Sequence, residues 1–193
     1  MRKLGFNLVL LGMIASGKDT QAKIIKAKYS MKSIESGAHW RKLLKENSPD
    51  GKWVRRTMGK GKPAPVVLMK KFLTNEIAKK PKGKDLLFLG NPRLKPEAQF
   101  LKKTLDIRGE DFLVLYITLP DKEVQHRSIK RKTGRTDDEK YIKRRIEWHK
   151  EQVRKTIKYF KNLGKLKIIN GNQSVPKVTK DILKAIETFK ASH

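Results

Sequence analysis

Apolar residues gather in short runs along the chain, and stretches of helical periodicity separate them. Residues 6–11, 85–89 and 112–118 are apolar almost throughout. Continuous apolar runs of this length, bounded by turn residues, read as strands covered on both faces, as in a parallel sheet. Residues 32–35 and 166–169 are weaker strand candidates. Between the strands, Ala22, Ile25 and Tyr29 share helical spacing, and Val67, Phe72 and Ile77 are among the apolar positions of a further helical segment. Ile142, Ile146, Val153, Ile157 and Phe160 recur at three, four or seven residues, which predicts one long helix from Asp137 or Asp138 to Asn162.

Punctuation fits this pattern. Ser36 is expected to cap a helix beginning near Gly37. Ser48-Pro49-Asp50-Gly51 reads as a turn before a basic helix at 52–60. Residues 59–65 break that helix, and another is predicted at 66–79. Pro96 opens a helix to about Leu105, the position proline favours. Asp121 and Glu123 begin a helix that ends in Lys130-Arg131-Lys132, matching its dipole. A last helix is predicted from Pro176 to about Phe189. Strands alternate with helices, so the class is α/β with a parallel sheet.

A chain of 193 residues makes one ordinary domain with a sizeable core. It has no Cys, which excludes disulfides, thiol chemistry and Cys-based zinc sites. The apolar runs are far too short to span a bilayer, so no membrane association and a cytoplasmic setting are expected. Met1-Arg2-Lys3 precedes a run that reads as a strand, not as a leader. The formal charge is +28. Two bound nucleotides would bring only about six negative charges, at about two per terminal phosphate. The surplus leaves two readings open: contact with a polyanion such as RNA, or a solvated basic surface. The second is preferred because no nucleic-acid motif or aromatic–basic interleaving occurs.

The chemistry concentrates at Gly12-Met13-Ile14-Ala15-Ser16-Gly17-Lys18-Asp19-Thr20-Gln21. Strand, glycine-bounded loop and helix form the context in which G-x-x-x-x-G-K cradles phosphate. Loop N–H groups point inward and the helix N-terminus adds partial positive charge. Lys18 can reach the outer phosphates, and the Thr20 hydroxyl can serve phosphate or a metal-bound water. Asp19 stands where the common pattern has Ser or Thr.

Arginines complete the pattern. Ser36-Gly37-x-x-x-Arg41, then Gly51, Met58, Gly61 and Pro65, then Gly90-Asn91-Pro92-Arg93, and Arg127-x-x-x-Arg131 follow in order. Gly134-Arg135-x-Asp137-Asp138 and Ile142-x-x-Arg145 come after them. In order and spacing the chain resembles the adenylate kinase and nucleoside monophosphate kinase family, in its short-lid form, along essentially its whole length. The resemblance implies a P-loop NTPase-type three-layer fold with a five-stranded parallel sheet. It divides one kinase domain into a core (1–35, 81–131 and 139–193), an NMP-binding insert (36–80) and a short lid (132–138).

It also implies residue roles. ATP would be held by Ala15, Ser16, Gly17, Lys18, Asp19, Thr20, Arg127, Arg131 and Gln173. The acceptor nucleotide would meet Ser36, Arg41, Lys62, Pro63, Ala64, Gly90, Asn91, Pro92, Arg93 and Glu97, with Arg135 and Arg145 closing on both phosphate ends. Lys18, Arg93, Arg131, Arg135 and Arg145 would carry catalysis. Such chemistry needs permanently charged forks that fit phosphate oxygens in pairs. Phosphoryl transfer is mostly positioning and charge stabilisation. The implied reaction is ATP + AMP = 2 ADP, by a monomer using ATP and Mg²⁺. The alternatives are a UMP/CMP-type kinase, or a weakly active or inactive member acting as a basic nucleotide- or RNA-binding protein.

The chain departs from the family pattern at several places. Where the family has carboxylates that hold the waters around Mg²⁺, this chain has Ala38 and Leu89. Glu97 stands where the family has a base-reading Gln. No direct metal ligand is expected. Mg²⁺ would be held through phosphates and water, with Thr20 or Asp19 as candidates to help. Trp40, Trp53 and Trp148 are expected to pack, and His39 to be a partly exposed helix residue.

Overall fold

The computed structural model describes residues 1–58, 63–130 and 139–192. Its centre is a five-stranded sheet in the order β2-β3-β1-β4-β5. The strands are β1 (Asn7–Gly12), β2 (Met31–Glu35), β3 (Asp85–Leu89), β4 (Phe112–Thr118) and β5 (Leu166–Asn170). Every pairing is parallel. The helices are α1 (Lys18–Lys28), α2 (Ser36–Leu43), α3 (Pro49–Met58), α4 (Val66–Ala78), α5 (Lys95–Ile107), α6 (Asp121–Lys130), α7 (Glu139–Trp148), α8 (Arg154–Asn162) and α9 (Val175–Ala191). No helix among the described residues is long and apolar enough to cross a membrane.

Alternation along the central strands builds the three layers. Leu8 and Leu10 of β1, with Leu113, Leu115 and Ile117 of β4, face α1 and α9 through Ile25, Ile182 and Ile186. Val9 and Leu11, with Phe112 and Val114, face the other way, onto α4, α5 and α8. Leu8, Leu10, Leu113 and Leu115 are fully buried. Each such side chain contributes about 1.5–3 kcal/mol by leaving water. A smaller cluster of Met13, Leu119, Val124, Ile142 and Ile146 fixes α6 and α7 beside the first loop.

Strand order decides where a ligand fits. From β1 the chain runs to β2 on one side. From β3, the neighbour of β1, it crosses to β4 on the other side. This reversal opens a crevice beyond the carboxyl ends of β1 and β3, the place where open α/β sheets bind ligands. The loops that leave these strands are the glycine loop at 12–17 and Gly90–Arg93.

Three local expectations are corrected. Ser36 does not cap α2: it is its first residue and is buried, and Glu35 takes the N-cap position with no side-chain hydrogen bond. Residues 48–51 are not a separate turn, because α3 starts at Pro49 and Ser48 Oγ accepts the Gly51 N–H at 3.1 Å. Proline and an N-cap serine fit a helix start as well as a turn. The long helix is interrupted at His149–Val153 by a π-helical segment between α7 and α8. Among the tryptophans, Trp40 packs in the core, whereas Trp53 is 43% exposed.

Candidate active site

The glycine loop is shaped by its backbone. Gly17 has φ 84° and serves as N-cap of α1, a left-handed conformation that glycine adopts without strain. Ala15 also has positive φ, 57°. The first N–H groups of α1 have no partner within the helix, so they present donors at the loop. Ser16 is 2% exposed, and its Oγ has no hydrogen-bond partner. Lys18 folds back over the loop, its Nζ donating to the Met13 carbonyl at 3.3 Å.

The second loop is held from three directions. Asn91 Nδ2 donates to the Ile34 and Leu89 carbonyls, each at 3.1 Å, tying the loop to the ends of β2 and β3. Glu97 Oε2 accepts the N–H groups of Arg93 at 2.8 Å and Leu94 at 3.1 Å. Thr156 Oγ1, from α8, donates to the Arg93 carbonyl at 2.8 Å. The Arg93 side chain then turns back, Nε donating to the Gly90 carbonyl at 2.7 Å. A Cβ on Gly90 would lie 3.5 Å from Lys18 Cε and 3.6 Å from an Arg93 Nη. The two cations therefore flank Gly90 across the crevice.

One cleft is lined by Lys18, Gly90, Arg93, Arg145, Trp148 and His149, together with residues 11–14, Ile146 and Val153. Three residues predicted as catalytic, Lys18, Arg93 and Arg145, thus meet in one place although they lie far apart in sequence. Arg127, on α6, ties that helix to the turn after β5. Its Nε donates to Glu123 at 2.6 Å and its Nη1 to the Gly171 carbonyl at 3.3 Å. The Arg127 hydrogen bond holds the Glu123 carboxyl below its usual range. Gly171 presses close to both β4 and the glycine loop: a Cβ there would lie 2.6 Å from the Thr118 carbonyl and 3.4 Å from that of Ser16. Gln173 follows in the same turn, donating to Asn170 O at 2.9 Å and Asp181 Oδ2 at 2.5 Å.

Other expected site residues lie apart from the cleft lining. Arg41 is exposed, with its guanidinium alongside Gly37. Ser36 and Ala64 are buried, and Ala64 joins the core. Pro92 is buried and Pro63 half-buried, while Asp19 and Thr20 are exposed in the first turn of α1. Lys62, Arg131, Arg135 and the lid at 132–138 lie outside the described residues.

Glu97, at the expected base-reading position, is the buried carboxylate that supports the second loop. It is 1% exposed and spends its carboxylate on the Arg93 loop. Burial pushes its carboxyl above the usual range, opposed by the two backbone hydrogen bonds. Its position three residues after Leu94 makes it a helix-capping carboxylate, a signal that the sequence does carry.

Two cleft residues were not foreseen, Trp148 and His149. His149 begins the π-helical segment, and π turns occur frequently at functional sites. Its Nε2 hydrogen-bonds Tyr116 Oη at 3.1 Å, and the two rings stack at 6.0 Å. A signal existed: His149 falls on the buried stripe, three residues after Ile146 and four before Val153.

Mg²⁺ takes hard oxygen ligands and usually keeps several waters, joined by one or two carboxylates and substrate phosphates. The Thr20 hydroxyl and the Asp19 carboxylate, in the first turn of α1, are oxygens of that kind. Among the described residues no three His, Asp or Glu side chains cluster as a metal site. This donor set fits a metal carried chiefly on phosphate oxygens and water.

A parallel sheet with a glycine loop after its central strand, and three cations gathered at the crevice, defines an α/β phosphate-binding protein of the nucleotide-kinase type. The profile described as adenylate kinase matches residues 10–165. An adenylate kinase of Bacteroides fragilis is 34% identical over 187 residues, covering 95% of this chain and 99% of that protein. One of Phocaeicola vulgatus is 32% identical over 185 residues, covering 94% and 98%. One of Flavobacterium psychrophilum is 31% identical over 188 residues, covering 95% and 99%. The chain belongs to the adenylate kinase family, whose members are ATP-dependent phosphotransferases.

Proposed function

We propose that the protein transfers the γ-phosphoryl group of ATP to AMP, giving two ADP. The observation that carries this reading is the convergence of Lys18, Arg93 and Arg145 on one cleft between the glycine loop and the Gly90 loop. An oxygen of the AMP phosphate attacks the γ-phosphorus, and the bond to the β–γ bridging oxygen breaks. Loop N–H groups and Lys18 hold the donor phosphates. Arg93, fixed through Glu97 and Thr156, grips the acceptor phosphate. Arg145 approaches from α7, where it can neutralise charge on the group in transit. No protein group needs to form a covalent bond, since orientation and preorganised positive charge lower this kind of barrier. Mg²⁺ carried on the nucleotide would screen phosphate charge.

In this reading α2, α3 and α4 form the acceptor insert, with Arg41 reaching the AMP phosphate once the insert closes. Arg131 and Arg135 arrive with the lid at 132–138, and closure excludes water that would otherwise accept the phosphoryl group. Arg127 and Gln173 flank the donor base beside Gly171. AMP is the acceptor named by the relatives' shared description. The test is purified protein with ATP, Mg²⁺ and, separately, AMP, CMP, UMP, GMP and dTMP, with diphosphate products measured. ADP formed chiefly with AMP supports the reading, and a preference for UMP or CMP overturns the acceptor.

A second reading rests on Ala38 and Leu89 at the carboxylate positions together with the +28 charge. It is a nucleotide-binding family member that contacts a polyanion without useful turnover. It requires no product with any acceptor, and RNA binding that collapses with salt.

A further inference from the structure

His149 stands in the wall of the phosphate cleft, and none of the roles above uses it. Its ring is fixed on one side: Tyr116, from β4, stacks against it and hydrogen-bonds Nε2 at 3.1 Å. The charged groups that face it come from three other elements. Lys18 comes from α1, Arg93 from the loop after β3, and Arg145 from α7, one turn before His149 itself. The described lining of this cleft contains no carboxylate. An imidazole set among three cations in a partly desolvated cleft is poorly placed to hold a proton of its own. That balance reverses when nucleotide phosphates enter the same space.

We infer that His149 is a further phosphate-facing residue of this site, neutral while the cleft is empty and protonated when donor and acceptor phosphates occupy it. The inference rests on the kinase reading of the cleft. Burial, reinforced by Arg93, Lys18 and Arg145, lowers His149 to about 4 in the empty cleft. Two nucleotides bring about six negative charges at near-neutral pH, at about two per terminal phosphate. An anion close to a histidine favours the charged form. Protonated His149 then adds one more positive group to the wall that meets the transferring phosphoryl. It does so without holding a fourth fixed cation beside Lys18, Arg93 and Arg145 in the free protein. The π-helical turn is the device that delivers it. Of residues 149–153, His149 and the 2% exposed Val153 both line the cleft, and His149 is the one that can carry a charge.

Linkage makes the claim measurable in two ways. Nucleotides that raise the proton affinity of His149 must themselves bind more tightly as pH falls, by the same factor. Phosphate protonation works in the opposite direction, so wild type is compared with His149→Gln, which keeps a neutral polar side chain and cannot titrate.

The experiment is a pH titration of histidine ring resonances by NMR, using the full chain labelled with ¹⁵N-histidine. The free protein is compared with protein saturated by AMP and the imido analogue of ATP. His149 is assigned by its loss in His149→Gln or, if that variant does not fold, by its Overhauser contacts to Tyr116. The expected result is a midpoint near 4 in the free protein, raised about a thousandfold or more in proton affinity, to near-neutral pH, when both nucleotides are bound. Alongside it, the wild-type advantage in kcat/KM over His149→Gln should grow as pH falls from 8 to 5.5. A loss of packing would give a constant ratio instead. A smaller rise, which leaves His149 neutral with both nucleotides seen to bind, overturns the inference and leaves the kinase reading standing. Absence of nucleotide binding overturns both.

Discussion

Thr156 on α8 reaches from the C-terminal part of the fold to the backbone of Arg93. It is fully buried, and its Oγ1 donates to the Arg93 carbonyl at 2.8 Å. Thr156→Val keeps the shape of the side chain and removes the donor. Leaving a buried carbonyl without its partner costs about 1–3 kcal/mol. For a domain of this size that is a fall in Tm of roughly 2–4 °C per kcal/mol. The same change has a functional consequence, because Arg93 must meet a phosphate in a fixed direction. A misplacement of about 1 Å at such a group can cost on the order of a hundredfold in rate. The variant should therefore lose kcat/KM for AMP by about ten- to a hundredfold, in line with the same 1–3 kcal/mol. Binding of ATP alone should change little, since Lys18 and the glycine loop are untouched. Thr156→Ser, which restores the donor, should recover most of the loss. Urea denaturation and a coupled assay at varied AMP measure both effects. Thr156→Val with unchanged stability and unchanged kcat/KM would refute the positioning of Arg93 through its backbone.

Other outcomes follow from the same geometry. Lys18→Ala should lower kcat by about 10²–10³, with the fold kept, as judged by unchanged circular dichroism and a steady-state assay. In Glu97→Gln the pH dependence of stability should change. The Glu97 carboxyl is raised in the folded protein, so the folded state binds more protons than the unfolded state between the ordinary carboxylate value and the raised one. Its contribution to stability is full below that window and is lost as pH rises through it. Denaturation midpoints across this range should show that decline in wild type and not in the variant. Gly171→Ala should cost about 1–3 kcal/mol by overpacking, because its methyl group would meet the Thr118 carbonyl at 2.6 Å. Thermal melts check this.

Much of the architecture was legible because the strands are strongly apolar. β3 and β4 fall at the expected residues, 85–89 and 112–118, since fully buried parallel strands leave little ambiguity. The glycine loop was legible for a similar reason: Gly12, Gly17 and Lys18 occupy positions that only a strand–loop–helix junction explains. What escaped were features decided by tertiary contact. Nothing in residues 139–162 marks a π turn, since no Gly or Pro interrupts them. Within it His149 makes its contact to Tyr116 of β4, a partner distant in sequence. Glu97 was read for its place in a family motif, and its burial and its hydrogen bonds to the two N–H groups beside it come from tertiary packing. Local propensity misjudged Ser36 as well: the strand ends at Glu35 as expected, but the helix begins one residue earlier, at Ser36, so that Glu35 with its β-extended backbone takes the cap position.

The most direct measurement supplies the protein with ADP and Mg²⁺ as the only nucleotide and follows the mixture by ³¹P NMR. An enzyme that moves a phosphoryl group between two adenine nucleotides must run the reaction backwards from ADP. Signals of ATP and AMP should appear in equal amounts and stop at equilibrium, and Lys18→Ala should slow their appearance by about 10²–10³. ADP that persists unchanged, with both nucleotide sites shown to be filled, would contradict phosphoryl transfer at this cleft.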